Sequence, residues 1–305
     1  VMNFTQSFMT ELQKYIGADE DVPAGDIGVG AREIGYMFGQ YKRLNAKTPG
    51  VLTGKPIPAG GSQGRTEATG YGLIYFLLEM LTEVNESLEG KRVMISGSGN
   101  VAYFAAKKAM ELGGVVVSLS DSDGAIYAEN GIDLDTVKQI KIDNRGRIKE
   151  YIDAHSDAEY FEGSLWDHDI KADIALPCAT QNEINEEQAQ RLVDNGIKFV
   201  AEGANMPSHT NAVKVYKENK LYYGPGKAAN AGGVAVSALE MSQNSQRLRW
   251  TTEEVDEKLK VIMKDIFKQA LDASNNYNLD HDYAAGADIA SFESIAKLMI
   301  MNGVV

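Results

Sequence analysis

Arg92-Val93-Met94-Ile95-Ser96-Gly97-Ser98-Gly99-Asn100-Val101-Ala102 is the stretch that decides the fold. Its first five residues are a short run of the buried-strand type. The period then changes: residues 100–112 repeat apolar side chains at helical spacing, and Val115-Val116-Val117-Ser118-Leu119 is a second strand. Strand, helix and strand in that order make a βαβ unit. Gly97-x-Gly99-x-x-Ala102 falls at its strand-to-helix turn with the spacing of a dinucleotide-binding fingerprint. Each small residue has a physical reason. Gly97 allows the tight turn, Gly99 lets the backbone approach a pyrophosphate, and Ala102 permits close packing of the helix on the strand. The phosphates then meet the free N–H groups of the helix N-terminus. Gly97, Gly99 and Val101 are therefore candidate cofactor-binding residues.

Working outward, the second strand ends at Ser120-Asp121-Ser122-Asp123-Gly124, where an acidic residue about 20 positions past the fingerprint binds a ribose 2′-hydroxyl. Taken alone, Asp121 favours NAD. A 2′-phosphate would need hydroxyl or basic donors, which Ser120, Ser122 and the cluster Lys141, Arg145 and Arg147 supply; otherwise that cluster is a solvated face. Further strands are expected at 172–176 and 198–201, with a helix at 186–195 between them that Asn185 can cap. This alternation predicts an α/β chain with a Rossmann-type, doubly wound, mainly parallel sheet.

Before the sheet, a helix is expected at 3–16 with Phe4, Phe8, Leu12 and Tyr15 on one face, and another at 32–44. The loop at 48–62, rich in Gly, Pro and Thr, is expected to hold a domain boundary, and an apolar helix begins near Thr66. Helices close the chain at 233–244, 252–275 and 291–301, and Thr251 with Glu254 matches a capping box.

With 305 residues, about two domains are expected. The net charge of −13 disfavours a phosphate-tracking surface, so neither nucleic acid nor membrane is expected as a partner. One cysteine, Cys178, cannot form an internal disulfide, and four scattered histidines show no ligand spacing. A reducing cytoplasm fits and a metal site does not. The N-terminus shows no secretory signal pattern. Cys178 and Trp166 are expected to serve core packing.

Asp26, set among glycines in Val22-Pro23-Ala24-Gly25-Asp26-Ile27-Gly28-Val29-Gly30, has two readings: proton exchange with a substrate amine, or a cap or Asx-turn before the next helix. Thr53, Thr69, Asn205 and Ser237 would each pass as caps on physics alone.

Several long segments together resemble the glutamate dehydrogenase family. They are Gln6-Ser7-Phe8-Met9-Thr10-Glu11-Leu12, the Pro23 to Gly30 segment, Thr53-Gly54-Lys55, Glu67-Ala68-Thr69-Gly70-Tyr71-Gly72, Glu202-Gly203-Ala204-Asn205-Met206-Pro207 and Val236-Ser237-Ala238-Leu239-Glu240-Met241-Ser242-Gln243-Asn244. The resemblance runs from the first helix to the last. It implies hydride transfer between nicotinamide and the substrate α-carbon, interconverting glutamate with 2-oxoglutarate and ammonium. It also implies a catalytic role for Asp26 in passing protons to and from the amine. Thr53, Val234 and Ser237 are the implied substrate contacts, Ser237 at the side-chain carboxylate. Thr69 and Asn100 match positions near the nicotinamide, Ala179, Thr180 and Gln181 a loop beside the ribose, and Asn205 and Asn230 further cofactor contacts. Ser120-Asp121-Ser122-x-Gly124 looks like the NADP-preferring members, with Arg145 among the nearby cations. NADP is the expected cofactor, with NAD the alternative.

The family's N-terminal glycine-rich segment, with its substrate-binding lysines, has no counterpart; Lys14, Lys42 and Lys55 do not occupy those motifs. The expectation is a truncated enzyme: residues 1–60 belong to a substrate domain, 61–282 to the dinucleotide-binding domain, and 283–305 to a helix returning to the substrate domain. A homohexamer is implied for the full-length protein. Two alternatives stand: a branched-chain or aromatic amino-acid dehydrogenase, and a nucleotide-binding module without turnover.

Overall fold

The structure, a computed structural model, describes residues 1–26, 28–45 and 50–303. Ile27 and the first residues of the expected 48–62 loop lie outside these, as do Val304 and Val305 of the expected last segment. Seven strands form one sheet: β1 (Arg92–Ile95), β2 (Val115–Ser120), β3 (Gly124–Tyr127), β4 (Glu159–Glu162), β5 (Ile174–Leu176), β6 (Phe199–Ala201) and β7 (Tyr222–Gly224). The helices are α1 (Met2–Leu12), α2 (Ala31–Leu44), α3 (Ala68–Glu83), α4 (Asn100–Glu111), α5 (Leu134–Lys138), α6 (Tyr151–Ala154), α7 (Glu186–Asp194), α8 (Thr210–Glu218), α9 (Gly226–Ala229), α10 (Gly232–Gln246), α11 (Thr252–Asn276) and α12 (Tyr283–Asn302). Among the described residues, no helix is long and apolar enough to cross a membrane.

The sheet order is β4-β3-β2-β1-β5-β6-β7. β2, β1, β5, β6 and β7 pair in parallel, while β3 and β4 add an antiparallel edge. The expected mainly parallel, doubly wound sheet is present. From β1 the chain first builds outward through β2 and later returns to β1's other side with β5, so the winding reverses between β1 and β5. Ligands of open α/β sheets bind beyond the strand ends at such a reversal. The parallel strands are buried on both faces, as their Val, Ile and Ala content requires. Met94, Val117, Ala175 and Val200 run through the core, where Trp166 is 1% exposed.

The contact pattern divides the chain into two compact units, Val1–Ala68 with Gly233–Lys260, and Thr69–Gly232 with Val261–Val305. These contact units divide the chain differently from the expected domain limits. The boundary falls at the start of α3 and not in the 48–62 loop. Residues 233–260 join the first unit because Glu240 and Asn244 of α10 bind the 54–60 loop. The last helix groups with the sheet unit, and begins at Tyr283, earlier than expected. Gly286 is what admits it: a Cβ there would lie 2.0 Å from the Ala270 carbonyl oxygen of α11.

In the first unit, α1 packs on α2 with a rotated face. Met9, not the Phe4, Phe8 and Tyr15 stripe, enters the core with Ile34, Met37, Phe38 and Tyr41. Thr10 accepts a hydrogen bond from Gln40 at 3.1 Å, which sets that rotation and leaves Phe4 76% exposed.

Two sets of candidate site residues

In the sheet unit, the turn after β1 is built as its glycines require. Gly97 has φ of +83°, and a Cβ there would lie 3.1 Å from the Cys178 carbonyl oxygen. Glycine is needed both for the backbone conformation and for the approach of the turn after β5. Gly99 precedes α4 without a side-chain cap, and a Cβ on it would meet nothing within 4 Å, so there is open space beside this helix start, whose first N–H groups have no intrahelical partner. Asn100 is exposed and Val101 partly so, while Ala102 is fully buried. Buried serines complete the strand ends: Ser120 Oγ accepts the Gly97 N–H at 2.8 Å and Ser96 Oγ accepts that of Cys178 at 2.9 Å. This open, N–H-lined turn fits a dinucleotide's pyrophosphate.

Beyond β2, Asp121 is turned into the protein. Its carboxylate accepts the Lys141 ammonium at 2.8 Å, the Ile148 N–H at 2.8 Å and the Asp123 N–H at 3.1 Å. Burial works to raise its pKa, but the ammonium and the two N–H groups outweigh it and hold it below the ordinary aspartate value. The same acid is thus occupied by structural donors. Beside it, Arg147 donates to Ser122 Oγ at 2.8 Å and pairs with Asp123 at 3.2 Å. Arg147 is the member of the basic cluster that reaches Ser122; Arg145 stands exposed two residues earlier in a left-handed turn with φ of 55°. A hydroxyl and a guanidinium side by side suit a 2′-phosphate.

Ala179, Thr180 and Gln181 are exposed in the turn after β5. Asn230, the C-cap residue of α9, donates to Asn205 Oδ1 at 2.7 Å, so these two candidates form one pair. The Asn205 loop is shaped by Glu202, 2% exposed, which accepts the Gly226 N–H at 2.7 Å; burial pushes its pKa up. Thr69 lies at the start of α3, where Gly70 allows close approach to α4: a Cβ there would sit 2.5 Å from the Ala105 nitrogen.

In the first unit, Thr53 donates to Ser237 Oγ at 3.1 Å, and both are buried. Arg65 Nε donates to the same Ser237 oxygen at 3.0 Å. Arg65 was not among the residues expected from sequence; no motif marks it, and only folding brings it to Ser237. Lys55, by contrast, is wholly buried in an ion pair with Glu240 at 2.7 Å and also donates to the Val51 and Leu52 carbonyls. Thr53 N–H donates to the Pro23 carbonyl at 3.0 Å, tying the Asp26 loop to Thr53. In that loop a Cβ on Gly25 would lie 2.6 Å from the Val29 carbonyl oxygen, and Asp26 is exposed. At the start of the helix after it, the Glu33 carboxylate accepts the Gly30 N–H at 3.0 Å. Val234 is 70% exposed on α10, a surface position and not a core one.

The substrate and proton-transfer candidates thus share one unit, and the cofactor candidates the other. The family profile described as glutamate/leucine/phenylalanine/valine dehydrogenase matches residues 60–303, and that of the same family's dimerisation domain matches 1–43. The NADP-specific glutamate dehydrogenase of Giardia intestinalis is 53% identical over all of this chain, which covers 69% of that protein. The NAD(P)-specific glutamate dehydrogenase of Xylanibacter ruminicola is 52% identical with the same coverage. Among solved structures, Plasmodium falciparum glutamate dehydrogenase matches with a TM-score of 0.95 at 48% identity, over all of this chain and 66% of that one. Matched along its length by sequence and by fold, the chain belongs to the glutamate/leucine/phenylalanine/valine dehydrogenase family.

Proposed function

We propose that this chain is the greater part of a glutamate dehydrogenase that oxidatively deaminates L-glutamate to 2-oxoglutarate and ammonium with NADP(H), and runs the reverse amination. The observation that carries the substrate assignment is the polar cluster of Thr53, Ser237 and Arg65. A pocket for an aliphatic or aromatic tail would be lined with apolar groups; two buried hydroxyls beside a guanidinium suit a distal carboxylate. Burial presses the Arg65 pKa down, with Glu240 opposing, so a second anion would be favourable there.

Asp26 takes the proton from the substrate amine during oxidation and returns it during amination, acting as general base and acid. Bound NADP supplies the hydride acceptor. The Gly97 to Val101 turn would hold its pyrophosphate and Ser122 with Arg147 its 2′-phosphate; Asp121 acts indirectly by fixing Lys141 and the Ile148 backbone. Ala179, Thr180, Gln181, Asn205 and Asn230, with Thr69 and Asn100, would contact the rest. Homo-oligomerisation, a hexamer in the full-length protein, is part of this proposal. The exposed Phe4, Phe8 and Tyr15 in the segment matching a dimerisation domain support it. A cytoplasmic setting accords with Cys178 being free and buried.

The test is a panel of L-glutamate, L-leucine, L-valine and L-phenylalanine, followed by NADPH formation. Glutamate alone should be oxidised, and Ser237→Ala should lower kcat/KM for it by about tenfold. Turnover of the apolar amino acids instead would reassign the substrate. NADP(H) binding with no turnover of any would leave the chain a nucleotide-binding module.

A further inference from the structure

After β5 the chain leaves the sheet through Pro177-Cys178-Ala179-Thr180-Gln181, and Glu183 follows before the start of α7. Several donors converge on that carboxylate. Oε1 accepts the Ala179 N–H at 3.1 Å and the Thr180 N–H at 3.3 Å, and Oε2 accepts the Trp166 indole N–H at 2.8 Å. The Ser96 hydroxyl, which accepts the Cys178 N–H at 2.9 Å, works to lower the pKa of this carboxylate. Ser96 immediately precedes Gly97. The Glu183 carboxylate therefore fastens the turn after β5, which is itself tied to the glycine turn after β1 by the Cys178 N–H on Ser96, at the strand pair where the sheet's winding reverses.

These donors are all neutral, and burial pushes the Glu183 pKa up. A carboxylate here costs stability relative to a neutral side chain. What it offers in return is valence: ionised, it is acceptor-only, and can meet several N–H and O–H groups without presenting a donor of its own.

We propose that Glu183 is a positioning residue of the dinucleotide site, holding the exposed Ala179, Thr180 and Gln181 in fixed geometry against the glycine turn for the nicotinamide half of the cofactor. The inference rests on the proposed reading of these two turns as part of the NADP(H) site. Glutamine cannot replace it. With its oxygen toward Ala179 and Thr180, its NH2 faces the Trp166 indole N–H, donor against donor; flipped, it faces the two backbone N–H groups.

The experiment titrates the chain and its Glu183→Gln variant with NADPH and with adenosine 2′,5′-bisphosphate, which carries only the adenosine end. Glu183→Gln should bind NADPH about tenfold more weakly and the bisphosphate unchanged. Adding Trp166→Phe, which removes the clashing indole donor, should recover part of the NADPH affinity. If Glu183→Gln does not fold, Ser96→Ala takes its place with the same expected split between ligands. Unchanged NADPH affinity, or equal weakening of both ligands, overturns the proposal. Failure of the unmodified chain to bind either ligand would overturn the NADP(H) site itself, and the inference with it.

Discussion

Asp26 stands exposed in a loop whose shape is set by its neighbours: Gly25 where a Cβ would strike the Val29 carbonyl, and Pro23 whose carbonyl accepts the Thr53 N–H. With Asp26 exposed and proposed for proton transfer, Asp26→Asn, which keeps its size and hydrogen-bonding capacity, should lower kcat by about 10²–10⁴-fold while leaving NADPH affinity and the melting temperature near those of the parent. Steady-state kinetics beside a thermal melt checks both parts. Asp121 is the opposite case, an acid whose role is local structure. Its pKa is held below the ordinary aspartate value, so its contribution to stability is complete above that value and is lost as pH falls through the depressed one. Glu183 and Glu202, with raised pKa values, act in the other direction, and acidification relieves their cost. Comparing denaturant unfolding of the parent and Lys141→Met over a pH series isolates the Asp121 part: the difference in stability should be large near neutrality and shrink below about pH 4. At this scale the sequence singles out the glycine turn, Asp26 and Ser237, because each sits in a motif. Arg65 was not, since 172 positions separate it from the Ser237 hydroxyl it meets. The acidic-residue rule pointed Asp121 at a ribose; the side chain instead meets Lys141 and two backbone N–H groups, donors that no spacing rule anticipates.

Elements were legible in proportion to their length and burial. β1 and β2, α4 and the Asn185-capped α7 appear within a residue or two of expectation, because apolar runs and caps signal them directly. The three strands not anticipated are short. β3 and β4 form the antiparallel edge, where Glu159-Tyr160-Phe161-Glu162 is partly exposed and reads as polar loop, and β7 is only Tyr222–Gly224. Which face of α1 is buried is not legible from the repeat alone. Phe4, Phe8, Leu12 and Tyr15 do recur at helical spacing, but Met9 is the side chain that fits among Ile34, Met37 and Phe38. The turn after β1 gives the sharpest test at this scale. Gly97→Ala would force a Cβ against the Cys178 carbonyl in a left-handed conformation that costs L-residues about 1–2 kcal/mol. Denaturant unfolding should show at least that loss, and NADPH titration should show binding abolished, since the turn must shift away from the one after β5.

Across the whole molecule, candidate chemistry is partitioned by contact unit: Asp26, Thr53, Arg65, Val234 and Ser237 in one, the glycine turn and its companions in the other. The contact units break later than the expected boundary and take the last helix with the sheet, through long-range packing, such as Gly286 against Ala270, that leaves no local signature. The proposal for the sheet unit is that it holds NADP(H), with Ser122 and Arg147 taking the 2′-phosphate while Asp121 serves the fold. Side-by-side calorimetric titration with NADPH and NADH at matched salt, on the parent and on Arg147→Ala, tests it most directly. Tighter NADPH binding by the parent is expected, with a gap that narrows by about tenfold in Arg147→Ala; tighter NADH binding, or a gap indifferent to Arg147, would contradict this assignment.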